Sequence, residues 1–397
     1  MTRHEGGGRR PSDGRDGDEG RRRDPAPPAD PRDEGERRHK EQEGGDGEHR
    51  HSEHREQDQP PGPENLVTLG EPYPSRSPVS RREFIRRAGT ASAVAVGAGA
   101  LAVGIHNRDP GRAPAPMRLP DFGVEDRPDL PSIVAAEGGS PQIMLQRCFE
   151  RMGGIGRFIE PGDRVVLKPN IGFATPPALG ATTNPEVVAV MSRLCLAQGA
   201  AEVWVVDNPI HDPARCLAIS GIEAAANSAG ARIMLPRPAA FRDVEVPGNA
   251  ILTRWPFFYA PFERATKVIG IPAAKHHSLS GVTLGMKNWY GLLGGRRNRL
   301  HQDIHTSIAD LASMVRPTLT VLDATRVLFR HGPTGGSPSD VRFDGIVAVA
   351  TDPVALDAYG ASVVVPEGGD FPFLEEAERR GLGTTDIWSA GFEMISL

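Results

Sequence analysis

From about residue 160 onward, short apolar runs alternate with longer stretches whose apolar positions recur at helical spacing. Val165-Val166-Leu167 is one such run, and the polar loop Lys168-Pro169-Asn170 closes it. Thr183-Asn184-Pro185-Glu186 then supplies a capping side chain, a proline at the first helical position and an early carboxylate, which predicts a helix start. Gly199 stops that helix after Gln198. Glu202 to Val206 reads as a strand ending at Asp207-Asn208. Asp212-Pro213 opens a helix that runs to about Gly230, and Arg232 to Leu235 is a further strand.

The second half repeats this grammar. Lys267 to Ile271 predicts a strand that runs into Lys275-His276-His277, followed by a helical stretch over 283–293 and a helix over 302–315. Leu319 to Leu322 is expected as a strand ending at Asp323, Gly345 to Ala350 as another, and Asp352-Pro353 opens a helix to about Ser362. Strands separated by helices of roughly ten to fifteen residues imply right-handed crossovers and a mainly parallel sheet. Apolar runs without strict alternation fit strands covered on both faces. The expected fold is therefore α/β: a mainly parallel doubly wound sheet over residues 121–397, in one large domain or two intimate lobes.

Composition changes abruptly towards the N-terminus. Residues 1–79 are almost entirely Arg, Asp, Glu, Gly, His and Pro, with hardly an aliphatic residue before Leu66. Such a segment buries too little apolar surface to offset its chain entropy, so a disordered charged tail is expected. Its charges are interleaved and the whole chain carries a formal −5, which suits no nucleic-acid partner. Next comes Ser80-Arg81-Arg82-Glu83-Phe84-Ile85-Arg86, and then an uncharged stretch of mostly Ala, Gly and Val from Ala88 to Ile105. This order resembles a twin-arginine export signal, with Arg81, Arg82 and Phe84 carrying the resemblance, Ile85 in place of Leu and Arg86 in place of Lys. The resemblance implies passage of a folded chain through the twin-arginine translocation machinery to a periplasmic or other extracytoplasmic location. A span needs roughly twenty strongly apolar residues. Segment 80–106 is therefore read either as a cleaved signal or as a membrane tether through 88–105, with 107–120 as linker. Since such signals sit near a protein's start, a wrongly assigned start codon would account for the tail.

The three cysteines, Cys148, Cys195 and Cys216, form no Cys-x-x-Cys pair, so no iron–sulfur cluster is expected from this chain alone. Cys195 and Cys216 sit in apolar helical patterns and are expected as buried free thiols.

Ligands of open parallel sheets bind beyond the carboxyl ends of the strands. That rule selects Lys168, Asn170, Asp207, Asn208, Lys275, His276, His277, Asp323 and Asp352, although Asp352 also reads as a helix cap. Lys287 lies among apolar and aromatic neighbours, where desolvation can lower an amine's pKa and make it a base or nucleophile. His301 and His305, four residues apart, can share a helix face towards a divalent metal, with His276 as a further ligand. Gln302 stands where the zinc-protease pattern has Glu. Lys168, Lys275, Lys287, Arg296, Arg297 and Arg299 form a basic set suited to a carboxylate or phosphate, provided that their loops meet.

Lys168-Pro169-Asn170, Thr183-Asn184-Pro185-Glu186, Lys287-Asn288-Trp289-Tyr290-Gly291 with His301 beyond, and Asp352-Pro353-Val354-Ala355-Leu356-Asp357 together resemble the DUF362 family across residues 160–365. Many members of that family add a ferredoxin-type cysteine cluster, which this chain lacks. The expectation is an exported enzyme acting on a small anionic metabolite or envelope compound. Lys287, His301 and Asp323 form its catalytic set, and Lys168, Asn170, Asn288 and Arg299 bind substrate. His276, His301 and His305 are the metal candidates. The alternative is a non-catalytic ligand- or metal-binding or assembly protein using the same crevice.

Overall fold

Proline-opened helices and β-branched runs settle where the sequence places them. The computed structural model describes residues 116–397 and, within the export segment, residues 80–83, 85, 86, 89 and 90. The tail 1–79, Phe84 and nearly all of 88–105 lie outside the described residues. Arg81 and Arg82 are exposed on a short helical stretch, with the Ser80 hydroxyl accepting from the Glu83 N–H at 3.3 Å. Among the described residues, no helix is long and apolar enough to cross a membrane.

From residue 116 onward the strands are β1 (Ile133–Glu137), β2 (Arg164–Pro169), β3 (Glu202–Val206), β4 (Arg232–Met234), β5 (Phe241–Glu245), β6 (Arg254–Phe258) and β7 (Lys267–Ile271). They continue with β8 (Ala273–His277), β9 (Gly281–Thr283), β10 (Leu319–Leu328), β11 (Val341–Arg342), β12 (Ile346–Ala350) and β13 (Glu393–Ser396). Apart from the β5–β6 ribbon they form one sheet, whose spine runs β13-β1-β12-β10-β7-β2-β3-β4. The run from β10 through β7, β2 and β3 to β4 is parallel throughout.

Strand β12 departs from the parallel expectation, pairing antiparallel with both β1 and β10. Its connection explains this. Residues 329–345 between β10 and β12 hold no α-helix to cross the sheet, and β11 within them turns back to pair antiparallel with β10, so β12 returns beside β10 in the opposite direction.

Alternate residues of the central strands point into different cores, so both faces of the sheet are covered. Val165, Leu167, Val347 and Val349 pack with the helices Pro141–Arg151 and Pro185–Ala197. Leu322, Ala348 and Ala350 pack opposite, with the helices Ile304–Met314, Pro353–Val364 and Pro372–Arg379. All three cysteines are free and buried, as expected for two of them. The single helix expected between Asp212 and Gly230 breaks at Gly221, whose φ of 72° suits a residue without a Cβ.

Two further departures bear on the site. Thr283, expected to start a helical stretch, instead ends strand β9, which pairs with β8, and helix begins only at Gly285. Strand β10 does not end at Asp323 but runs on to Leu328. That places Asp323 inside a strand rather than at its rim.

Candidate functional site

The carboxyl ends of β2 and β3 lie side by side in register, which brings Lys168 against Asp207. The Lys168 ammonium meets Asp207 Oδ1 at 2.9 Å, with both side chains almost wholly buried. It also donates to the Pro169 carbonyl at 2.9 Å and Asn288 Oδ1 at 3.0 Å. Burial pushes its pKa down, and the Asp207 charge and hydrogen bond pull it back up. Asp207 further accepts from the N–H groups of Ile171 at 2.7 Å and Asn208 at 2.9 Å, which fixes the loop after each strand.

The β8–β9 hairpin forms one wall. Lys275 and His277 are two residues apart, so they share a face of β8, and Thr283 lies directly opposite Lys275. The Lys275 ammonium donates to the Ala181 carbonyl at 2.6 Å and Asn170 Oδ1 at 3.2 Å, and sits 5.1 Å from the Phe173 ring centre. Nδ1 of His277 accepts from the N–H groups of Leu279 at 3.2 Å and Ser280 at 3.3 Å. Its proton is therefore on Nε2, the ring's other nitrogen. The Thr283 hydroxyl is buried without a hydrogen-bond partner.

The opposite wall is the segment 285–301. Asp357 accepts from the N–H groups of Gly285 at 2.7 Å and Met286 at 3.0 Å, and so fixes the short helix that carries Lys287. Asn288 donates to the Lys168 carbonyl at 2.8 Å and ties that helix to β2. A Cβ on Gly291 would run into Asp207 Oδ1 and lie 2.6 Å from Lys168 Nζ, so only glycine permits this approach. Arg297 donates to the carbonyls of Asn208 and Pro209 at 2.7 and 2.8 Å, and its guanidinium sits 5.2 Å from the Tyr290 ring centre. The His301 ring lies 5.8 Å from His277 and 5.2 Å from Tyr290.

These walls enclose a cleft of about 530 Å³, including its mouth. Lys168, Lys275, Lys287 and Arg297 face it against the single carboxylate of Asp207. Lys168 is paired with that carboxylate, and the excess positive charge rests on the other three. Lys287 is only 8% exposed. Its ammonium lies 5.5 Å from the Tyr290 ring centre and, among the described residues, has no hydrogen-bond or ion-pair partner. Burial pushes its pKa down to about 8. Burial, with the charges of Lys287 and Lys168, pushes Lys275 down to about 7. Burial followed by the neighbouring cations takes His277 down to about 2, so it is neutral at physiological pH. His301 is lowered by burial and then by Lys287. The site is thus desolvated and cationic, and holds two neutral imidazoles.

The structure gathers Lys168, Asn170, Asp207, Asn208, Lys275, His277, Lys287, Asn288, Arg297 and His301 from the sequence-derived set around this cleft. It does not bring the remainder there. Asp323 lies beneath it, accepting from the Asn184 N–H at 2.6 Å and from the Thr325 hydroxyl at 2.6 Å. That is support, because Asn184 caps the helix after the Thr183 turn and Thr183 holds the Asn170 N–H at 2.8 Å. Arg299 is exposed, and Arg297 faces the cleft instead. Asp352 caps the helix behind β12, whose antiparallel course turns that end to the opposite rim.

The proposed metal ligands separate. His276 accepts from the Gly332 N–H on the other face of β8, and His305 stacks on Phe373 at 6.2 Å. Among the described residues, no group of three or more His, Cys, Asp or Glu side chains is gathered for a metal.

Thr283 and the tautomer of His277 have no signature in the sequence, whereas Tyr290 lies in the Lys287–Gly291 motif and Lys275, which follows a predicted strand, carries a second signal in its residue type. The chain contains 46 Lys and Arg together and only five lysines, three of which line this cleft.

Fold and cleft define an α/β protein whose sheet rim presents lysines and imidazoles to a small buried pocket. Residues 165–362 match the family described as domain of unknown function, DUF362, and all the motifs quoted above lie within that span. The chain is 28% identical over 262 residues to "Thylakoid-associated protein sll1697" of Synechocystis sp., covering 63% of this chain and 78% of that protein. No solved structure matches it.

Proposed function

We propose that the cleft binds and transforms a small anionic metabolite or envelope compound after export of the chain by the twin-arginine route. One observation carries the reading: a buried ammonium, Lys287, which has no partner among the described residues, in a cleft where four cations face one carboxylate. An uncompensated buried charge is costly, and the arriving anion of a ligand removes that cost. In this reading Lys275 and Arg297 hold the anion, the Lys168–Asp207 pair and Asn170 shape the floor, Lys287 acts at the reacting atom, and His301 carries protons. Among the described residues the histidines gather no group of three metal ligands, and this reading places the chemistry on amine and imidazole groups.

The test is urea unfolding of the full chain with added phosphate, acetate or pyruvate against chloride at matched ionic strength. A specific anion is expected to raise stability by about 2.7 kcal/mol at a hundredfold excess over its Kd. The gain is expected to disappear in Lys275→Met/Lys287→Met. Equal stabilisation by chloride, or a gain that survives the double substitution, overturns the reading.

Export is supported by the Arg81-Arg82 motif and by the thylakoid association in the relative's name. Lysine at both positions is expected to keep the protein in the cytoplasm on cell fractionation. Undiminished export refutes this part.

A further inference from the structure

Resting on that anion-binding reading, we propose that Lys287 is an imine-forming amine, and that the anion is the carboxylate of a 2-oxo acid. Three features of the cleft lead here. The Lys287 nitrogen is held in place without being used: Asp357 pins the helix that carries it, yet among the described residues no group accepts from the ammonium. A lysine kept for a structural ion pair looks different, as Lys168 shows with three acceptors around its ammonium.

The cleft also holds two unspent donors. Thr283 has a buried hydroxyl with no partner. His277 has Nδ1 occupied by two backbone N–H groups, which leaves Nε2–H as its donor. A hydroxyl and an imidazole N–H on one hairpin face form a seat for a carbonyl or carbinolamine oxygen. Finally, the remaining cations, Lys275 and Arg297, already bond to neutral carbonyl or amide oxygens and keep their charge for a carboxylate. One cleft thus offers an amine, an oxygen seat and a carboxylate clamp.

The chemistry balances with nothing added. The uncharged Lys287 nitrogen adds its lone pair to the keto carbon, and the carbonyl π electrons pass to oxygen, which takes one proton from that nitrogen. The resulting hydroxyl leaves as water with the second nitrogen proton, and a carbon–nitrogen double bond remains. His301, which lines the same cleft and lies against the Tyr290 ring that Lys287 also faces, is the proton carrier in this scheme. The lowered pKa of Lys287 leaves a useful share of free amine near neutral pH.

The full chain is incubated with pyruvate and sodium cyanoborohydride, and the lysines are mapped by peptide mass spectrometry. A 1-carboxyethyl group on Lys287, well above any on Lys40 or Lys267, is the expected result. Lys287→Arg keeps the charge but cannot form the imine, so it is expected to lose the label and still be stabilised by pyruvate. If pyruvate stabilises the wild type but Lys287 stays unlabelled, the imine is wrong and the anion site stands. If pyruvate neither stabilises nor labels, the imine falls, and if phosphate and acetate also fail to stabilise, the anion site falls with it. Equal labelling of all lysines also overturns the imine, because it would show unselective amine chemistry.

Discussion

Asp207→Asn is the sharpest perturbation of the cleft floor. Asp207 is the only carboxylate facing Lys168, at 2.9 Å, and both side chains are buried. At an effective dielectric of about 20, that separation corresponds to an attraction of about 6 kcal/mol, which has been offsetting the desolvation of both ions. Asparagine removes the attraction and leaves the ammonium buried with only the neutral acceptors Pro169 O and Asn288 Oδ1. Its amide nitrogen also replaces one oxygen that now accepts from Ile171, Asn208 or Lys168. Breaking one side of a buried pair costs about 3–5 kcal/mol, and that is the expected loss. Urea unfolding followed by tryptophan fluorescence measures it, Trp289 being buried beside the site. Lys168→Met/Asp207→Asn is expected to be more stable than the sum of the single losses predicts, by about 2 kcal/mol, because no orphaned charge remains. A loss below about 1 kcal/mol for Asp207→Asn, or strictly additive single substitutions, would refute the argument.

Gly291→Ala pushes a methyl group into the same ion pair, so a loss of about 1–3 kcal/mol is expected, and unchanged stability would mean that the segment is not held so close. Anion affinity, followed by calorimetry, is expected to fall as pH rises through about 7 and then about 8, where Lys275 and Lys287 release their protons; a flat profile would show that neither contacts the ligand. His277 works on the acid side. Its folded pKa of about 2 lies below the ordinary 6.5, so between these values the unfolded chain takes up a proton that the folded chain refuses. Stability is therefore fully present above about pH 6.5 and lost by about 1.4 kcal/mol for each unit below it. His277→Gln is expected to flatten that part of the pH–stability curve, and an unchanged curve would exclude His277 as its cause.

What could be read from the sequence divides along a physical line. Lys168, Asn170, Asp207 and Asn208 were legible because local punctuation, a strand followed by a polar loop, already fixes which end of an element they occupy, whereas Asn288 was legible through the Lys287–Gly291 motif. Asp323 misled because its meaning depends on neighbours, and it became interior when β10 continued past it. Asp352 keeps the helix-cap reading, and the antiparallel pairing of β12 removes it from the cleft rim. The histidines divided for a similar reason. Which of His276 and His277 faces the cleft is decided by the parity of β8, and this is set only by its pairing with β9 and β10.

One site signal needed no fold at all. Arginine keeps its charge wherever it is placed, whereas a buried lysine gives up its proton within the physiological range. A chain with five lysines among its 46 basic residues, three of them in one cleft, uses lysine where a titratable amine is wanted and arginine for permanent charge. The solvated pairs Arg127–Asp129 and Arg147–Glu150, both arginine, fit that division. Scarcity of a residue type thus adds, at Lys275, to the strand-end pattern that already selects it.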